Sequence, residues 1–261
     1  MDTENNEFDV AQTIVVLNLT VAQCKRLIAK SLVQLPIVQK KMKKGMIILT
    51  RGTTNTYLAE ELIGYNEPHG AFLTGHFVPD GTVSLDKHIE KKDTEIILID
   101  GKRVDMPYEE AVKLLKEDDI VFKGANMINY KLKQAAVCIG AYDGGTTSRF
   151  LPYIGKGKAQ LIIPVGMEKD TSFDLSQMDT KVTPNTMRLS FTPLLHVFEN
   201  AQLYTEIEAL KQNAHVRVFP NGKGGVAGRE GGCSFVVSGD FQEVTKVIGA
   251  DDKMEKPFHE Q

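Results

Sequence analysis

The 261-residue chain has no tryptophan, only three cysteines and only six histidines. Cys24, Cys138 and Cys233 are widely separated and odd in number, which argues against a disulfide framework. No C-x-x-C, H-x-x-H or H-E-x-x-H spacing occurs, so a zinc site is not expected. No window approaches the ~20 apolar residues of a bilayer span, and no membrane partner is expected. The opening residues, Met1-Asp2-Thr3-Glu4-Asn5-Asn6-Glu7, are acidic and polar, unlike the n-region of a secretory signal. A cytoplasmic, thiol-reducing location is therefore the expectation. The net charge of -3 leaves no electrostatic footprint for nucleic acid. The densest basic cluster, Lys40-Lys41-Met42-Lys43-Lys44, reads as the end of a helix, where cations oppose the negative end of the helix dipole.

What is present is an ordinary globular composition, 42% hydrophobic and 25% charged, long enough for one large α/β domain or two small ones. Thr13–Asn18 is rich in β-formers. Thr20 with Gln23 forms a capping-box pattern ahead of apolar residues at helical spacing. Pro36 breaks that helix, a second one runs to Lys44, and Gly45 ends it. Met46–Leu49 is a short apolar strand and Thr54–Ile63 a helix stopped by Gly64. Residues 65–94, with Gly70, Gly75 and Pro79-Asp80-Gly81, suggest short strands or a loop over the sheet. Further strands are expected at Glu95–Ile99, Asp119–Phe122, Ala136–Ile139 and Ala159–Pro164. Asp100-Gly101 signals a hairpin turn, and helices are expected over 107–116 and Thr146–Ile154. Alternating strands and helices, with several strands apolar on both faces, predict a Rossmann-like, mostly parallel α/β sheet with helices on both faces. Residues 1–167 would form this main ligand-binding domain and 168–185 a polar connection. Residues 186–250 would add a small α-β-β-α unit, as a subdomain or sheet edge, and 251–261 a charged tail. There is no internal repeat.

Ligands of such sheets bind beyond the carboxyl ends of the strands, and unusual loops fall there. In Arg51-Gly52-Thr53-Thr54-Asn55-Thr56 the glycine permits close approach, and the hydroxyls and helix-start N–H groups suit an anion. Arg51 adds a charge-assisted contact. The structural alternative is a helix cap on Thr53 and a solvated Arg51. In Lys123-Gly124-Ala125-Asn126, Lys123 is a cation for phosphate or carboxylate and Asn126 an orienting group, or else the asparagine stabilises a turn. In Asp143-Gly144-Gly145-Thr146-Thr147-Ser148-Arg149, Arg149 sits in a first helical turn, against the dipole. It therefore calls for a ligand or for Asp143 as partner, and Asp143 is also a general-base candidate. Glu168, beyond another strand end, is either a cleft carboxylate or a loop acid. The glycine-rich stretch 221–232 has no G-x-x-x-x-G-K-[ST] pattern and serves as a lid, an intersubunit contact or a long turn. Cys138 reads as a core thiol rather than a nucleophile.

Taken together, "MIILTRGTTNTYLAEEL", "DDIVFKGANMIN" and "GGTTSRFLP" resemble the superfamily of sugar-phosphate isomerases, CoA transferases and translation initiation factor 2B subunits, including bacterial and archaeal members to which no activity is attached. The resemblance covers about residues 45–165. The first stretch is similar to the strand–turn–helix that holds phosphate in ribose-5-phosphate isomerases, and the second to the Gly-Ala-Asp turn. It implies a phosphorylated small-molecule ligand held by Arg51, Gly52, Thr53, Thr54, Thr56, Lys123, Asn126, Gly144, Gly145, Thr146, Thr147 and Arg149, and by fold-level analogy a homo-oligomer. Asp143 and Glu168 are the catalytic candidates, with no cofactor specified. Asn126 and Asn129 stand where isomerases of the superfamily carry acids, and asparagine does not usefully accept a proton. The same fold therefore also accommodates a non-catalytic regulatory or interaction module.

Overall fold

The computed structural model describes residues 12–67, 71–73, 76–77, 83–84, 94–141, 143–178 and 194–251. Most of the expected loop 65–94, part of the 168–185 connection and nearly all of the tail lie outside these. In chain order the elements are β1 (Thr13–Leu19), α1 (Val21–Leu32), α2 (Pro36–Lys43), β2 (Met46–Leu49), α3 (Thr53–Ile63), β3 (His76–Phe77) and β4 (Val83–Ser84). Next come β5 (Ile96–Ile99), β6 (Lys102–Val104), α4 (Tyr108–Ala111), β7 (Ile120–Phe122), β8 (Met127–Asn129), β9 (Gln134–Ile139), α5 (Gly145–Phe150) and β10 (Gln160–Pro164). The chain finishes with β11 (Leu194–Phe198), β12 (Gln202–Tyr204), α6 (Glu206–Lys211), β13 (Arg217–Lys223), β14 (Cys233–Gly239) and α7 (Phe241–Asp251).

The central sheet runs β12-β10-β7-β2-β5-β6. Its first four strands are mutually parallel, whereas β5 reverses against β2 and β6 returns against β5. The fold is thus α/β with a mixed, mostly parallel sheet. Because side chains alternate across a strand, each strand feeds two cores. Ile47, Leu49, Leu98, Ile120 and Phe122 pack with Ile28 of α1 and Leu58 of α3. Met46, Ile48, Ile97 and Val121 pack with Tyr108 and Ala111 of α4 and with Phe150 of α5. That explains why β2 is apolar at every position: all four of its residues are buried.

Local chemistry sets the element ends. Thr20 Oγ1 accepts the Gln23 N–H and Gln23 Oε1 accepts the Thr20 N–H at 2.9 Å, completing the expected capping box of α1. Arg26 of α1 pairs with Glu60 and, at 2.8 Å, Glu61 of α3, and its guanidinium lies 4.6 Å over the Tyr57 ring. Asp100 and Gly101 both take positive φ, 50° and 76°, the geometry that two-residue hairpin turns need.

Two antiparallel sheets flank the main one. β11, β9 and β8 form one. In the other, β14 lies between β1 and β13, so the N-terminal strand belongs with the C-terminal hairpin rather than with the central sheet. Their residues Leu17, Leu19, Phe235 and Val237 join the same core as Ile47 and Phe122.

At the starting ends of β2 and β7 lies a buried ion pair. Asp119 Oδ1 accepts from Lys41 Nζ at 3.1 Å and from the Met46 N–H at 2.9 Å, and its Oδ2 accepts from the Lys116 N–H at 2.8 Å. Lys41 crosses directly over Gly45, where a Cβ would stand 2.4 Å from its Cδ and where φ is 138°. Removing one member of a buried pair strands the other charge. Asp119→Ala should therefore cost about 3–5 kcal/mol in urea unfolding. A loss below about 1 kcal/mol, the level of an exposed pair, would contradict this role.

Candidate functional site

Three strand ends and one strand start bring the relevant residues to the carboxyl edge of the parallel strands. β2 delivers Thr50 and Arg51, β7 delivers Lys123, and β10 delivers the loop 165–169. Since β5 runs the other way, its first residues point to the same edge, and Glu95 arrives beside Arg51. Arg51 Nε donates to Glu95 Oε1 at 3.1 Å. Thr146 Oγ1 donates to the same oxygen at 3.1 Å. One carboxylate, not foreseen in the sequence, thus joins two of the expected loops. Its signal was an acid set directly against a wholly apolar strand.

Gly52, not Thr53, is the N-cap of α3, and among the described residues no side chain caps this helix. The Gly52 N–H donates to Phe72 O at 2.9 Å, and Thr56 Oγ1 donates back to Gly52 O at 3.1 Å. Thr54 and Thr56 are buried and Thr53 half-buried, so Thr53 is the most accessible hydroxyl of the three. The first turn is fastened by Asn55, whose Nδ2 donates to Thr50 O at 2.7 Å and to Phe122 O at 3.1 Å. This bond sets the open start of α3 immediately against the end of β7.

Lys123 follows. It is half-buried, and among the described residues its ammonium has no hydrogen bond or ion pair. Burial first of all pushes its pKa down to about 8, Lys169 and Arg51 add repulsion, and Glu95 opposes them. Lys169, across Gly124-Ala125, donates to Ala125 O at 2.8 Å, and burial lowers its pKa too. Cys138 is half-buried rather than a core residue; burial raises its thiol pKa and Lys123 pulls it down.

The remaining expected residues are placed differently. Asn126 is exposed, and its Oδ1 accepts the Cys138 N–H at 2.9 Å, so it ties the entry to β8 to the end of β9. Arg149 does find Asp143, at 2.9 Å, and also Glu109 at 3.1 Å and the Gly145 carbonyl at 2.6 Å. Asp143 is exposed, and its Oδ1 accepts the Gly145 N–H at 2.9 Å. That bond first, then Arg149, holds its pKa below the usual carboxylate range, which makes it a weak base. Gly144 and Gly145 have φ of 83° and 53°, and a Cβ on Gly144 would stand 2.6 Å from Ser148 Cβ; the turn itself requires this pair. Thr147 is buried. The Glu168 carboxylate folds over Gly166 and lies toward Glu206, whose pKa is pushed up to about 7 by burial first and by Glu168 next. The site therefore gathers Arg51, the start of α3, Glu95, Lys123 and Thr146, while Asp143 and Arg149 neutralise each other at its rim.

A depression of about 500 Å³ opens at the opposite edge of the sheet, lined by Asp118, Lys156, Lys158 and Gln202 among others. It lies at the amino ends of the parallel strands, where α/β sheets seldom bind ligands. Among the described residues no helix is long and apolar enough to cross a membrane. Comparison of the chain with protein-family models, with curated proteins and with solved structures finds no match.

The lowered Lys123 pKa is directly testable. With the lysines dimethylated using 13C-labelled reagent, one NMR signal should titrate near pH 8 and be missing in Lys123→Met. The folded chain loses this proton before the unfolded chain does, so stability due to Lys123 rises as pH goes from about 8 to 10.5. Lys123→Met should flatten that rise. A Lys123 signal titrating near 10.5, its ordinary value, would remove the basis for the site.

Proposed function

We propose that this edge binds the phosphate of a small phosphorylated metabolite, of the class of sugar phosphates, nucleotides or CoA esters. The observation that carries the reading is Lys123, a half-buried cation without a counter-ion bond among the described residues, beside the uncapped start of α3. Helix starts favour anions through their exposed N–H groups and dipole. Arg51 and Lys169 add positive charge, which Glu95 and Glu168 offset in part. Thr53, Thr54 and Gly52 supply donors and room, as the likeness to sugar-phosphate isomerases implies, and membership of that superfamily is part of the proposal. The order of parallel strands β2, β7 and β10, with small-residue turns at their ends, supports it.

A lysine titrating near neutrality also suits proton transfer, so an isomerase or transferase would use Lys123 as its acid or base in place of Asp143. The second reading is a non-catalytic module that keeps the binding site. It is favoured by the mutual neutralisation of Asp143 and Arg149 and by the commitment of Asn126 to the Cys138 N–H.

A dye-reported thermal-shift screen with inorganic phosphate, sugar phosphates, nucleotides and CoA esters tests the proposal. A ligand at a hundred times its dissociation constant adds roughly 2.7 kcal/mol. The shift should vanish in Lys123→Met and persist in Arg149→Ala. A shift unaffected by Lys123→Met, or none with any compound, would refute the reading. Turnover of the hit would decide between enzyme and binding module.

A further inference from the structure

The cysteines have no metal-binding spacing along the chain, yet the fold brings two of them together. β1 and β14 pair in register so that Leu19 stands opposite Cys233. The chain then enters α1 through the Thr20 cap, and Cys24 comes round in its first turn. Gly232 allows this approach, since a Cβ there would stand 2.5 Å from the Leu19 carbonyl oxygen. From a third direction comes Glu206, the first residue of α6, which follows the edge strand β12. The sulfur atoms of Cys24 and Cys233 and a carboxylate oxygen of Glu206 all lie within 4.8 Å of one another, and all three residues are buried.

We propose that Cys24, Cys233 and Glu206 form a binding site for a zinc-class divalent metal ion. Two features beyond proximity point to a ligand. Glu206 is completely buried, and only one of its oxygens has a hydrogen-bond partner: Oε2 accepts the Met167 N–H at 2.9 Å, while Oε1 has none. Beyond the Met167 N–H, the one group among the described residues that interacts with this carboxylate by a side-chain hydrogen bond is the Cys24 thiol, a weak donor, and a fully buried carboxylate so poorly satisfied is costly unless something binds it. The donor set is also chemically selective. Two thiols and one carboxylate suit zinc and similar borderline ions, and the lack of further oxygen ligands disfavours magnesium and calcium. In tetrahedral zinc, bonds near 2.3 Å to sulfur and 2.0 Å to oxygen place ligand atoms roughly 3.5–3.8 Å apart. The three groups need contract by no more than about 1.3 Å to reach that geometry.

Both thiols and the carboxylate must be deprotonated to bind, so uptake releases protons and strengthens as pH rises. Three protein donors leave one tetrahedral position for water. Because the donors belong to α1, β14 and α6, the ion would tie the terminal sheet to the edge of the central one. It would be separate from the anion site.

The test uses the full chain, purified under reducing conditions. Zinc content is measured by plasma mass spectrometry, and cobalt is then titrated into chelator-treated protein. The expected result is about one metal per chain, a thiolate-to-cobalt charge-transfer band, and a melting temperature that falls on chelation and recovers with zinc. Cys24→Ser and Cys233→Ser should lose the band, whereas Cys138→Ser should keep it. Glu206→Gln provides a variant of nearly equal shape should the serine variants fail to fold, and it should weaken cobalt uptake at least tenfold. The absence of the band in the reduced wild-type chain would overturn the site. So would a band that survives Cys24→Ser, or unchanged cobalt uptake in Glu206→Gln.

Discussion

The arrangement of the molecule depends on holding β2 against β7 without slippage. Both strands are only three or four residues long and apolar throughout. A one-residue slip would exchange their two faces but would still bury hydrophobic side chains, so hydrophobicity alone does not choose the register. Asp119 does. Its carboxylate takes the Met46 N–H at the start of β2, the Lys116 N–H just before β7, and the ammonium of Lys41 from α2. At the finishing ends Asn55 takes the Thr50 and Phe122 carbonyls together. With polar clamps at both ends, the loops that leave these strands have fixed starting points.

The reversal of β5 decides the chemistry of that edge. Were β5 parallel to β2, Glu95 would lie at the far side of the sheet, next to the Asp119 clamp. Arg51, Lys123 and Lys169 would then face one another without a shared carboxylate. Reversed, Glu95 compensates part of this charge and bridges the loops after β2 and before α5. It does not reach Lys123 with a hydrogen bond. The result is an edge whose positive charge, among the described residues, is compensated only in part, as the proposed anion site requires.

Much of the local structure was legible in the sequence because it is written in local chemistry. The Thr20–Gln23 box, Pro36, the Asp100-Gly101 turn and the apolar run of β2 each act within a few residues. The direction of β5 was not legible, since four consecutive apolar residues look the same in either orientation. The partnership of β1 with β14 depends on residues at opposite ends of the chain. Strands β8 and β12 are three residues long, too short for any period to register, and β11 is interrupted by His196. At the site, Arg51 and Lys123 were visible as cations at strand ends. Glu95 was not, because its place follows from strand direction. The Arg149–Asp143 pairing was foreseeable, but the contribution of Glu109 from the preceding helix was not. The Cys24–Cys233–Glu206 cluster escaped notice because metal motifs are sought at short spacings, and here the three donors come from distant segments.

The pairing of β1 with β14 also shapes how the protein is made. β14 fills the middle of its three-stranded sheet, so β1 has no neighbour there until residues 233–239 have been made. During synthesis β1 must wait with both edges unpaired while the central sheet and its helices form. Contacts between such remote segments carry a large loop-closure cost and slow folding. Residues 12–18, Gln-Thr-Ile-Val-Val-Leu-Asn, carry no charge and include four consecutive apolar side chains, so a waiting strand has little protection. Closure of this sheet therefore waits for β14, and the nascent chain is most exposed to mispairing just before the β13–β14 hairpin emerges.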